Sequence, residues 1–151
     1  METAGLKHEV EPLKLGLGPA PADAAERLGL HAGQEVFVRH RRYVAEGYPL
    51  EVATSYIPLD VASGTQIEEW NPGPGGIYAR IEEQGHKLQR FTEEVSVRPG
   101  TNSELNALSL PTGASILRIL RTAHAKDRAV EVCDTIMNPS AFELYYELPA
   151  R

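Results

Sequence analysis

Arg41, Tyr43, Glu51 and Ser55 form one group of residues whose types and spacing could do chemistry; Arg121 and Glu131 form a second. A guanidinium offers a planar fork of donors that matches a carboxylate or a phosphate. Beside glutamate, tyrosine and serine, it suits the binding of a small polar anion. If residues 35–45 and 50–57 are the strands of a hairpin turning at Gly47, then Tyr43 faces Glu51, Arg41 faces Ala53 and Arg39 faces Ser55. Alternation puts these on one face and Val44, Leu50, Val52 and Tyr56 on the other, which reads as core. The same construction pairs Ala123 with Glu131 and Arg121 with Cys133. Spacing leaves two readings open: solvated cross-strand ion pairs on an exposed face, or a polar pocket between sheet and helices.

A further candidate lies in "EEWNPGPGGIYARIEEQG", Glu68 to Gly85, where two prolines and three glycines stand directly before a helical pattern. Backbone amides at a helix start lack internal partners, and the helix dipole favours negative charge there. Glycine lets a ligand approach the backbone. On this reading Gly75 and Gly76, ahead of Ile77 and Tyr78, cradle an anion. On the other, the loop only redirects the chain into its helix. It is not a Walker loop, because no Gly-Lys-Ser/Thr follows.

The elements that must position these groups show a self-match at an offset of 80 residues, without gaps. Leu28 falls on Leu108, Gly33 on Gly113, Arg41 on Arg121, Ala45 on Ala125 and Glu51 on Glu131. Each copy reads as a short helix, a glycine turn and two β-rich runs, the second pair being 115–125 and 129–137. Asp23 and either Asn102 or Ser103 are the expected N-caps. Residues 7–17 and "HKLQRFTEEVSVRP" alternate like strands, "IYARIEEQ" like a helix with one apolar stripe, and "FELYYELP" like a closing strand with one of Tyr145 and Tyr146 in the core. "PLDVASGTQIEEW" reads as a loop with a short helix. The expectation is an α+β fold: an antiparallel sheet of six or seven strands, helices on one side, and an internal helix–hairpin repeat.

Bulk properties narrow the function classes. A chain of 151 residues suits one domain, with residues 1–9 as a flexible segment or linker remnant. Net charge of −6 argues against a direct grip on DNA, and the basic run Arg39–Arg42 alternates between two faces of a strand. No apolar run approaches the roughly 20 residues needed to cross a bilayer. The N-terminus has no signal-peptide core, and the single Cys133 fits a reducing, cytoplasmic setting. His8, His31, His40, His86 and His124 show no paired ligand spacing, so neither a metal nor a cofactor is expected. Cys133 reads as a packed small residue rather than a nucleophile. Glu82–Glu83 and Glu93–Glu94 read as solvated charges rather than an acid/base pair.

Taken in order, "AERLGL", "GQEVFVRHRRYVAEGYPLEVATSYIP", "GGIYARIEEQGHKL", "EEVSVRP", "ELNALSLPTGASILRILRTAHAKDRAVEVCDTIM" and "FELYYEL" resemble the UTRA domain of HutC-subfamily GntR transcription regulators, in its actinobacterial form. The resemblance implies a chorismate-lyase-like fold, a small-molecule effector, a homodimer, and DNA binding through a separate winged helix-turn-helix domain. This sequence has no recognition-helix segment, so a separated effector domain or a stand-alone sensor is expected. Arg41 matches the family's first strand arginine, Tyr78 its loop tyrosine and Glu131 its second-hairpin acid. Tyr43, Ala53 and Gly76 stand where a second arginine, a glutamate and a phosphate-binding serine are frequent. Those departures point away from a sugar phosphate and toward an effector with one anionic group. Ser55, Gly75, Arg90 and Tyr145 complete the expected lining. The alternative on the same fold is a chorismate-lyase-like enzyme cleaving an enol-pyruvyl ether.

Overall fold

The computed structural model describes residues 8–150. Six antiparallel strands form one sheet in the order β1-β2-β3-β6-β5-β4. They are β1 (His8–Pro19), β2 (Glu35–Ala45), β3 (Tyr48–Ile57), β4 (Leu88–Pro99), β5 (Ser115–Ala125) and β6 (Ala129–Met137). The helices are α1 (Ala22–Leu28), α2 (Leu59–Ala62), α3 (Gly76–Glu83) and α4 (Asn102–Ala107), with 3-10 turns at Gln66–Glu68 and Pro139–Ala141. The alternating Val, Ile, Tyr and Thr of the strand runs supply β propensity and a core face together.

The 80-residue repeat extends further than the helix–hairpin unit. β1 lies 80 residues before β4, α1 before α4, β2 before β5, and α2 before the turn at Pro139–Ala141. Both hairpins take the expected register, with Tyr43 opposite Glu51 and Ala123 opposite Glu131. Both carry a bulge at the equivalent place, after Tyr43 and after Ala123. In the central β3–β6 ladder Thr54 pairs with Asp134, its own equivalent. A pseudo-twofold axis therefore passes through that pair, and the strand order reads the same from either edge.

Several expectations are corrected. Helices cover both faces of the sheet. α1 and α4 bury Ala24, Leu28, Leu105 and Leu108 against Val52, Ile116, Leu120, Val132 and Ile136. The segment from α2 to α3 buries Val61, Ile67 and Ile81 against Phe37, Ile57 and Ala123 on the other face. Each Val, Leu, Ile or Phe among them contributes about 1.5–3 kcal/mol on full burial. The N-cap of α1 is Pro21 rather than Asp23, whose carboxylate accepts from the Ala24 amide within the first turn. α4 is capped by Thr101, which forms a capping box with Glu104, so Asn102 and Ser103 are inside the helix. Residues 142–149 form no strand, and Tyr145 and Tyr146 are both exposed. The expected segment 1–9 lies outside the described residues up to position 7; His8 and Glu9 begin β1.

Candidate functional site

Three ladder rows lay out the face beneath α3. Arg41, Ala53, Thr135 and Ile119 run across β2, β3, β6 and β5. Beside this row run Arg39, Ser55, Cys133, Arg121 and, on β4, Glu93. Tyr43, Glu51 and Met137 form the third. Each β-strand sends alternate side chains to this face, so the register alone brings together residues from five strands.

The segment between the repeats roofs part of this floor. Arg39, buried, donates to the carbonyls of Ile67, Glu69 and Trp70 and fastens the roof to β2. Arg80 donates to the Gln66 side chain and to the carbonyls of Pro72 and Pro74, which holds the glycine–proline loop closed. Gly73, Gly75 and Gly76 all have left-handed backbone (φ +92°, +83° and +68°), where a side chain is strained. A Cβ on Gly75 would stand 2.7 Å from that of Ala79. The Gly76 amide donates to the Gly73 carbonyl at 3.0 Å. Loop geometry thus accounts for these glycines, and their effect on the site is to aim α3.

Between roof and floor lies a cavity of about 410 Å³. Arg41, Tyr43, Ala53, Tyr78 and Glu131 of the expected set line it, joined by Glu51, Glu93, Ile77, Ile119, Arg121, Cys133, Thr135 and Met137. Ser55 is fully buried just behind and accepts from Arg41 Nη1 at 2.9 Å. Arg41 donates also to the Arg39 carbonyl, the Tyr43 hydroxyl and the Cys133 sulfur, all neutral acceptors. Glu131 is buried and accepts from the Tyr78 hydroxyl at 2.9 Å. Burial pushes its carboxyl up, against the pull of Ser55, Tyr78, Arg41 and Arg121. Burial beside Glu131 likewise pushes the Tyr78 phenol up, so it stays a donor. Burial raises the Cys133 thiol, which leaves it a lining group rather than a nucleophile.

Arg121 differs from its repeat equivalent Arg41. It binds Glu93 through Nε at 2.9 Å and Nη2 at 2.8 Å, and lies over the Phe91 ring at 4.9 Å. Phe91 in turn packs on Tyr78. Arg90 lies elsewhere, at a separate cleft of about 450 Å³ with His124, Lys126 and Arg128. Tyr145 lies outside the cavity too, on the exposed C-terminal segment. Sequence reasoning missed Glu93, which reads as solvated but closes the Arg121 row. The signal that could have found it is the register of β4 on β5.

Comparison with known proteins places this architecture. The UTRA domain family matches residues 3–143. The HTH-type transcriptional regulator Rv0792c of Mycobacterium tuberculosis is 28% identical over 152 residues, covering 97% of this chain and 55% of that protein. The chain therefore spans about half the length of that curated relative. A solved GntR-family transcriptional regulator is similar with a TM-score of 0.84 and 28% identity, over 98% of this chain and 61% of that one. The C-terminal domain of the histidine utilization repressor from Pseudomonas syringae shares the fold, with a TM-score of 0.80 and 19% identity over 95% of this chain and 99% of that one. Relatives that are regulators disfavour the lyase alternative. No helix among the described residues is long and apolar enough to cross a membrane. The chain belongs to the UTRA domain family and is an effector-binding regulatory domain.

Proposed function

We propose that the cavity beneath α3 receives a small metabolite with one anionic group, and that Arg41 is its anchor. The observation that carries this reading is Arg41 itself: a guanidinium lining a 410 Å³ cavity, with its hydrogen bonds going to neutral acceptors. An incoming carboxylate gains a charge-assisted fork there. Tyr43, Ala53, Tyr78 and Glu131 shape the ligand's surroundings, and Ser55 holds Arg41 in place. Gly75 and Gly76 act through the direction of α3. Arg90 and Tyr145 have no part in this cavity.

In the longer protein, on this proposal, the domain works as a cytoplasmic homodimer of the HutC type, attached to a winged helix-turn-helix domain that binds an operator. The effector stabilises one arrangement of the dimer and so changes the spacing of the DNA-binding domains. It shifts that equilibrium only by its differential affinity for the two arrangements. The test is a thermal-shift screen against anionic metabolites, with mass spectrometry under native conditions of any co-purified molecule. A specific ligand raises the melting temperature by mass action. The reading fails if binders of the parent chain bind Arg41→Met with equal affinity.

A further inference from the structure

The repeat makes Arg41 and Arg121 equivalent, yet their surroundings differ in charge. Arg121 is held by the Glu93 carboxylate at 2.8 and 2.9 Å, and Glu93 itself lines the cavity. The position equivalent to Glu93 is Leu13, which falls unpaired in the β1 bulge between Pro12, the partner of Arg41, and Lys14. The repeat position that supplies a carboxylate to Arg121 therefore supplies none to Arg41, whose hydrogen bonds go to neutral acceptors. The two arginines sit on β2 and β5, three strand spacings apart, or about 14 Å between backbones. One small ligand lying along the floor can address both ends.

We infer that Glu93 is a built-in competitor at the Arg121 end, which restricts the site to ligands that are anionic at one end only. This rests on the anion-binding reading above and sharpens it. A ligand with a second anionic group must displace Glu93 from Arg121 and leave that carboxylate facing the new charge. A ligand whose far end is neutral and hydrogen-bonding leaves the Glu93–Arg121 pair intact. Tyr146 makes only a long, exposed contact to the second Glu93 oxygen at 3.3 Å, so Arg121 is the group that holds Glu93.

Inorganic phosphate serves as the probe. The chain is labelled with ¹⁵N, and the Nε–H signals of Arg41 and Arg121 are followed by NMR during titration at pH 7.5. In the parent, Arg41 responds saturably and Arg121 responds only at higher phosphate. In Glu93→Gln, the apparent Kd at Arg121 falls about fivefold, the scale of a partly exposed ion pair, while Arg41 is unchanged. Tyr146→Phe keeps Glu93 on Arg121 and behaves as the parent, which separates competition from a loosened C-terminal segment. Equal response of both arginines in the parent, or no gain at Arg121 in Glu93→Gln, overturns the competitor role alone. Absence of any response at Arg41 in every variant overturns the anion-binding reading, and this inference with it.

Discussion

Replacing Arg41 by Met tests whether the guanidinium is kept for binding or for stability. The change keeps much of the side-chain volume and removes the charge. What is lost on folding is four hydrogen bonds, two of good length at 2.9 and 3.0 Å and two long ones at 3.3 and 3.8 Å. What is gained is relief from holding a cation partly out of water, which costs several kcal/mol for a buried ion. These oppose each other. The expected net change is within about 1.5 kcal/mol, or roughly 4 °C in Tm for a domain of this size. Binding has no such offset. A charge-assisted hydrogen bond is worth about 1.5–3 kcal/mol, so affinity for an anionic binder falls about ten- to a hundredfold. Urea unfolding and calorimetric titration with a binder from the screen measure the two effects. A loss of stability above about 3 kcal/mol with unchanged affinity refutes the reasoning, because Arg41 would then be structural.

Other perturbations follow from the same geometry. Burial raises the Glu131 carboxyl above its ordinary 4.5, so the folded state holds its proton more tightly than the unfolded state. Stability from this site is therefore full below 4.5 and falls as pH rises through the folded value; Glu131→Gln flattens that part of a Tm-versus-pH curve. Glu104 runs the other way: the Arg98 fork holds its carboxyl down at about 2, so its contribution is present above 4.5 and lost as pH falls toward 2. Glu104→Ala should cost about 1–2 kcal/mol at pH 7 and far less at pH 2 by urea unfolding. Gly75→Ala should destabilise more than Gly76→Ala, since both have positive φ but only Gly75 meets a neighbouring Cβ; about 1–3 kcal/mol against about 1 kcal/mol is expected from paired melts. Incubation with chorismate should release no pyruvate, and steady release in a coupled assay would return the lyase reading.

The parts of the site legible in the sequence are those fixed by local rules. Gly47 and the period of two set the β2–β3 register, so the faces of Arg41, Tyr43, Ala53 and Ser55 follow without a structure. The offset of 80 carries the same register to Arg121 and Glu131. What is not local is not legible. Residues 58–87 read as a loop with a short helix followed by a second helix, and nothing in their pattern says which face of the sheet they cover. Their placement turns a polar strand face into a cavity floor. "FELYYELP" alternates as a strand should, yet alternation supplies no ladder partner, and residues 142–149 stay irregular. Glu93 shows the same limit: its neighbour in sequence, Glu94, pairs with Arg27 toward α1, while Glu93 turns to Arg121. Only the β4–β5 register tells the two apart.

The cavity exists because one connection breaks the pseudo-twofold frame. Repeated β-α-β-β units generate two equivalent half-faces, each with an arginine and a glutamate at matched positions. The first unit is followed by α2, a 3-10 turn, the glycine–proline loop and α3; the second is followed by one 3-10 turn and an irregular segment. Position 39 records the difference. Arg39 is buried and ties the roof carbonyls down over the first half, whereas its equivalent, Ile119, lines the cavity floor. The roof reaches across the axis through Tyr78, which donates to Glu131 on β6 and packs on Phe91 of β4. The two arginines end in different settings: Arg41 bonds neutral acceptors, whereas Arg121 is held by Glu93 with 42% of its side chain exposed. Symmetry supplies the paired charges, and the asymmetric connection decides which of them a ligand meets first.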